Sequence, residues 1–305
     1  MAASDADLDL AGLLQEVRQI EVQSRRLVTG ALAGGYRSVF RGSGIEFDEV
    51  REYVPGDPRR SIDWSVTART GRPYVRKYVD ERELTMLFLL DLSASMDAGG
   101  RVWSPRRFAA RICAVLALAA VRNNDRVGLL AFSDGIDAWV PPRKGKRHAL
   151  ELVRDCLAMR GAGARTDLAP ALQAASRLVR RHATVFVVSD FLCEGWERAM
   201  ALCARRHDTV AIRLLDPALD APRAGLERLR AAEGDGEVLA DWSSRSVREG
   251  HSVRRAAWSA HTARALRDAH VDLLDFEIPQ TARRDAVAGP LMRFFRMREM
   301  RGRKR

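Results

Sequence analysis

The sequence predicts an α/β fold: a doubly wound, mostly parallel sheet preceded by an N-terminal helix and a small β-rich lobe. Three observations predict it. Leu84 to Leu90, apolar except for Thr85, is a run of strand length that closes on the polar turn Asp91-Leu92-Ser93-Ala94-Ser95-Met96, the pattern of a buried central strand. Thr184 to Val188 repeats the design and ends in Ser189-Asp190. Amphipathic helical stretches alternate with these and further β-rich runs, which implies parallel strands joined by right-handed crossovers. Ligands bind such sheets beyond the carboxyl ends of the strands. Asp91, Ser93 and Ser95, offering one carboxylate and two hydroxyls at alternate positions there, suggest a divalent cation held by hard oxygen ligands.

The 305 residues suffice for one large domain or two smaller ones. The longest apolar runs fall far below the roughly 20 residues needed to span a bilayer, and the N-terminal residues are acidic. The expectation is a cytoplasmic protein with no signal peptide and no membrane segment. Cys113, Cys156, Cys193 and Cys203 form no C-x-x-C pair and read as small hydrophobes in a reducing compartment. Against 40 acidic residues stand 51 basic ones, a net charge of +11. The basic residues are not interleaved with aromatics as a strand-binding groove requires, so an acidic protein partner is favoured over nucleic acid.

In chain order, Leu10, Leu13, Leu14, Val17, Ile20 and Leu27 recur near helical spacing, predicting an amphipathic helix from Leu8 to Val28. From Gly42 to Arg72 short β-prone pieces alternate with turn chemistry, Pro55-Gly56-Asp57 above all. Arg51, Glu52, Asp57, Arg60, Asp63 and Arg69 form either a partly buried ion network or a recognition surface. Ser104-Pro105 supplies an N-cap and first-turn proline for a helix buried along Phe108, Ile112, Val115, Leu116 and Ala119. Strands follow at Arg126 to Phe132 and Ile136 to Val140, antiparallel because the Asp134-Gly135 turn is short. A helix from His148 to Met159 leads to a second loop, Gly161 to Asp167, and a helix buried along Leu168, Leu172, Ala175 and Val179. Strands at Asp208 to Leu215, Gly236 to Asp241 and Val271 to Ile278, the last at an edge, and helices at Arg245 to Ala269 and Leu291 to Met300 complete the pattern. The expected division is 1–82 (helix and lobe), 83–280 (sheet domain) and 281–305 (helix and basic tail).

Several motifs occur in one order: Gly42-Ser43-Gly44-Ile45-Glu46-Phe47-Asp48-Glu49-Val50-Arg51-Glu52-Tyr53-Val54-Pro55-Gly56-Asp57, then Arg60-Ser61-Ile62-Asp63-Trp64, Ala68-Arg69, and the strand ending at Asp91. This order resembles the bacterial domain-of-unknown-function family numbered fifty-eight, whose members are von Willebrand factor A-like and often found beside MoxR-type AAA+ ATPases. Many members carry membrane helices ahead of this region, and the chain resembles the soluble branch. The resemblance implies that Asp91, Ser93, Ser95, Thr166 and Asp190 are the five ligands of a metal-ion-dependent adhesion site for Mg2+, with Mn2+ or Ca2+ as alternatives. It further implies a non-enzymatic, chaperone-like adaptor working with a MoxR-type AAA+ ATPase on an acidic client protein.

Each residue also has a plainer reading: Ser93 and Ser95 as turn caps, Thr166 as the N-cap of a helix beginning at Asp167, Asp190 as a cap for the next helix. Asp97 and Asp167 read as outer-shell or solvated groups. A phosphatase of the haloacid dehalogenase type would need an aspartate where Ser93 stands, and His148 and His182 lie on flanking helices rather than in the site loops. No phosphate-binding or nucleophile-elbow motif is present. The rival readings are a metal-dependent phosphate-ester hydrolase using Arg51 to Arg76 as an anion clamp, and a basic nucleic-acid-binding protein.

Overall fold

Six strands of the sheet are drawn from the apolar runs just described, and their order decides where the functional loops meet. The computed structural model describes residues 46–57, 61–79, 83–97, 103–163, 165–220, 224–230, 236–281 and 286–302, together with Arg18. The helix expected from Leu8 to Val28 therefore lies outside the described residues apart from Arg18, which is helical. Two compact units result, one spanning residues 40–84 and the other holding the described residues from Thr85 onward.

In the smaller unit, β1 (Glu46–Glu52) pairs antiparallel with β2 (Tyr74–Val79), and a short helix α1 (Trp64–Thr70) lies between them in sequence. Asp63 caps α1 by accepting hydrogen bonds from the N–H groups of Ser65 (3.0 Å) and Val66 (3.2 Å), and Gly71 closes it in the left-handed conformation. Arg51 grips Asp57 through two hydrogen bonds of 2.8 and 2.7 Å, and Arg72 reaches Glu52 at 3.3 Å. Asp63 is engaged in capping and Arg69 donates to the Ser65 carbonyl, while Arg60 lies outside the described residues.

The larger unit is built on β3 (Thr85–Asp91), β4 (Arg126–Phe132), β5 (Ile136–Arg143), β6 (Thr184–Ser189), β7 (Asp208–Leu215) and β10 (Asp272–Glu277), in the spatial order β10-β7-β6-β3-β4-β5. All neighbours are parallel except β4 and β5, as their short connection requires. From β3 the chain first builds toward β4 and β5, then returns to β6 and builds the other way. The β3–β6 junction is thus the switch point where a crevice opens in a doubly wound sheet. Pro141 and Pro142 blunt the β5 edge, with Pro142 lying so close to Gly128 that a Cβ there would meet its ring at 2.9 Å.

Both faces of the sheet are covered. Leu87, Leu89, Val185 and Val187 meet Leu168, Leu172 and Ala175 of α5 (Leu168–Leu178), Met200 and Cys203 of α6 (Glu197–Arg206), and Leu266 of α8 (Arg245–Asp268). On the opposite face Phe88 stacks on Phe186 at 5.8 Å, and Phe108 of α3 (Pro105–Arg122) meets Phe276 edge-on at 6.0 Å. Burial of each such side chain stabilises by roughly 1.5–3 kcal/mol, which fixes the register that brings β3 and β6 to a common edge. Completing the elements are α2 (Ala94–Asp97), α4 (Lys146–Ala158), the short α7 (Pro217–Asp220) and α9 (Ala288–Gly302). The last is joined to the sheet by Arg298, which reaches Asp208 at 2.6 Å and Asp272 at 3.0 Å. A hairpin of β8 (Leu226–Arg230) and β9 (Glu237–Asp241) stands apart from the main sheet. Only its second strand was expected, because Leu226-Glu227-Arg228-Leu229 has neither β-branched residues nor alternation. Cys113, Cys156 and Cys203 are buried as anticipated, and all four cysteines are free.

Candidate metal centre

At the switch point β3 delivers Asp91 and β6 delivers Ser189 and Asp190, all buried. One carboxylate oxygen of Asp91 accepts from the Ser93 N–H (2.9 Å) and the other from the Ser189 hydroxyl (2.6 Å). The Ser93 and Ser95 hydroxyls are 3.1 Å apart, and Ser95 also hydrogen-bonds Asp190. Asp190 accepts from the Leu192 N–H at 3.0 Å. Burial pushes Asp91 up to about 7, and the negative charge of Asp190 adds to that rise, while bonds from Ser189 and Ser93 oppose it. Asp190 is also raised, by burial first, against the pull of Leu192, Ser95 and the Arg255 charge. The Asp190 carboxylate is thus near enough for its charge to act on Asp91, in surroundings where burial disfavours both ionised forms.

The second loop reaches the same edge through its backbone. Asp167 N–H donates to the Ser133 carbonyl just beyond β4 (2.7 Å), the Ser133 hydroxyl accepts from Gly163 N–H (3.1 Å), and Asp137 accepts from Ala162 N–H (3.0 Å). Thr166, buried beside Asp167, is carried there with it. Glycine at 161 is required because a Cβ would run into the Leu92 carbonyl, whereas at 163 a Cβ would meet only the Asp134 carboxylate, the end of an exposed side chain that can turn away.

Of the five residues singled out, direct interactions bring Asp91, Ser93, Ser95 and Asp190 together, and Thr166 arrives on a pinned neighbouring loop. Two of the plainer readings are corrected. The N-cap of α5 is Asp167, which accepts from Ala169 N–H (3.1 Å), and Thr166 precedes it. Asp190 closes a local turn onto Leu192, while α6 has Trp196 at its N-cap and no side-chain cap. Asp97 is held by Arg106 and, at 3.5 Å, by Arg160. Arg106 is buried and also donates to the carbonyls of Leu157 (2.9 Å) and Met159 (3.3 Å), so it ties the first loop to the end of α4 that feeds the second.

Sequence reasoning passed over Ser189 and Arg106. A signal existed for Ser189, a hydroxyl at the last strand position directly before the aspartate. Arg106 had none, since the carbonyls that hold it lie about 50 residues away. His148 serves the scaffold, with its Nε2 2.9 Å from the Val127 carbonyl.

The donors fit a hard divalent cation. Among the described residues no group of three or more His, Cys, Asp and Glu side chains converges, so a cation here would rest on two carboxylates and on hydroxyls, an all-oxygen set of charge −2.

Fold and site together define an α/β sheet protein with an oxygen-lined, acidic crevice at its switch point. The family model described as protein of unknown function DUF58 matches residues 49–262, and the chain belongs to that family. Among curated relatives, uncharacterized protein Rv1480 of Mycobacterium tuberculosis is 33% identical over 273 residues, covering 88% of this chain and 86% of the relative. Uncharacterized protein MAV169 of Mycobacterium avium is 32% identical over 139 residues, covering 44% and 82%. Among solved structures, BatB from Bacteroides thetaiotaomicron is similar with a TM-score of 0.43 at 14% identity, covering 70% of this chain and 99% of that one. The VWA domain of SpRpn10 gives 0.37 at 13% identity, covering 68% and 94%. Proximal thread matrix protein 1 of the mussel byssus, with a zinc-occupied MIDAS motif, gives 0.31 at 15% identity, covering 43% and 38%.

Proposed function

We propose that the chain is a non-enzymatic, cation-dependent protein-interaction module. The observation that carries this reading is the pair of buried carboxylates, Asp91 and Asp190, set among serine hydroxyls at the switch point. When bound, a divalent cation such as Mg2+ or Mn2+ would supply positive charge and an open coordination position that a carboxylate from a partner can complete. Asp91 is oriented by Ser93 N–H and Ser189, Asp190 by Leu192 N–H and Ser95, and Thr166 is the fifth donor of the proposed set. The groups in contact with the two carboxylates are hydroxyls and main-chain N–H groups, which position but do not shuttle protons at neutral pH. No helix among the described residues is long and apolar enough to cross a membrane.

Following the family resemblance, the partner we propose is a MoxR-type AAA+ ATPase acting on an acidic client. The test is calorimetric titration of Mg2+ and Mn2+ into the wild type and Asp91→Ala, with and without the ATPase. Saturable binding lost in the variant, and ATPase association that requires the ion, are expected. Full association of Asp91→Ala with the ATPase would refute the cation bridge. Mg2+-stimulated turnover of a phosphate ester, abolished by Asp190→Asn, would replace the adaptor reading with a hydrolytic one.

A further inference from the structure

The turn that presents Asp190 is held from two sides. Phe191, which follows it, is a buried aromatic residue in the left-handed region with φ 59°, a conformation that persists only where its surroundings impose it. Its N–H donates to the Ser189 hydroxyl (2.9 Å), the same hydroxyl that donates to Asp91. Its carbonyl accepts the indole N–H of Trp258 from α8 (2.9 Å). One turn earlier on α8, on the same helix face, the guanidinium of Arg255 lies 4.6 Å over the Trp258 ring. Arg213 lies on that ring too, at 5.4 Å, but is itself buried and gripped by Asp275 through bonds of 2.7 and 2.8 Å. Stacking fixes a planar guanidinium in a way it cannot fix a lysine ammonium. Arg255 is therefore a cation placed beside the Asp190 turn by the residue that braces the turn.

We infer that Arg255, stacked on Trp258, is a fixed counter-charge of the crevice that offsets Asp190 in the cation-free protein and sets cation affinity by competing for that carboxylate. This rests on the cation-dependent reading above and adds the residue that tunes it. The field of Arg255 at Asp190 agrees with the geometry, since it draws that carboxyl downward against the effect of burial. A divalent ion entering the crevice meets a site whose charge is partly offset, and the fixed positive charge opposes its binding.

The test is Mn2+ titration at one pH into the wild type, Arg255→Ala, Arg255→Gln and Arg255→Lys. Tighter binding by roughly 5- to 30-fold is expected for the two neutral variants, with Arg255→Lys, whose charge is kept but not held by stacking, between them and the wild type. A residue needed only to hold the fold would produce the opposite sign, because a loosened site binds more weakly. Equal or weaker Mn2+ affinity in both neutral variants overturns the proposal while leaving the cation reading intact. Absence of Mn2+ binding in all four proteins overturns the cation reading, and the proposal falls with it.

Discussion

Asp91→Asn should make the protein more stable without divalent cations and abolish the stabilisation that they give. Asp91 is pushed up to about 7 in the folded protein from an ordinary value of 3.8. Between those values the folded state binds the proton more tightly than the unfolded chain, so this group's contribution to stability falls as pH rises from about 4 to 7 and is constant above. The full cost is about 4 kcal/mol, of which a little over half develops between pH 5 and 8. Asparagine carries no charge, and its carbonyl can still accept the Ser93 N–H. The assay is urea unfolding followed by circular dichroism, in a chelator, at pH 5 and pH 8. The variant should gain about 2 to 3 kcal/mol relative to wild type on going from pH 5 to pH 8. Adding Mg2+ at 100 times its dissociation constant should stabilise the wild type by about 2.7 kcal/mol and the variant hardly at all. Titrating groups remote from Asp91 cancel in the difference, and Asp190, relieved of its neighbour's charge, adds in the same direction. A wild-type-to-variant difference that does not change with pH would refute the buried-charge argument, and equal stabilisation of both proteins by Mg2+ would remove Asp91 from the cation site.

Other perturbations test the scaffold. Replacing Arg106 with Leu leaves the Leu157 and Met159 carbonyls and Asp97 without it, and should cost about 3 kcal/mol in chemical denaturation. His207 is buried, neither ring nitrogen has a hydrogen-bond partner, and burial aided by the charges of Arg206 and His182 lowers it to about 4 from 6.5. Its unfolded form therefore takes up a proton first, so stability falls as pH drops from about 6.5 to 4, by about 3 kcal/mol in all. His207→Phe should flatten that part of the stability profile, and a profile unchanged from wild type would exclude His207 as its source. Gly161→Ala drives a Cβ into the Leu92 carbonyl and should both lower the melting temperature and weaken Mn2+ binding. In the smaller unit, Asp63→Ala removes the α1 cap and should cost about 1 kcal/mol locally, seen as faster amide exchange at Ser65 and Val66.

The sheet was legible because its strands declare themselves: continuous apolar runs ending in polar turns have no stable alternative in water, and the helices between them carry the matching stripes. The boundary at Ser104-Pro105 was legible for the same local reason, since caps act over three or four residues. Within the site, Asp91, Ser93 and Ser95 could be read from one turn. What could not be read was which backbone donor each carboxylate would take: whether Asp190 would cap a helix or close a turn onto Leu192, and whether Thr166 or Asp167 would begin α5. Those choices differ by single hydrogen bonds.

The sequence by itself determined that two strands would each end in an aspartate at the same edge of a parallel sheet, because side-chain hydrophobicity and turn chemistry are properties of short segments. Tertiary structure alone decided that the two ends would be neighbours across a switch point. It also decided that Ser189 would bridge to Asp91, that Arg106 would join two loops across about 50 residues, and that Trp258 would carry Arg255 to the Asp190 turn. Strand order and the register of α8 against the sheet depend on how whole elements pack, and packing sums weak contacts between residues far apart in the chain.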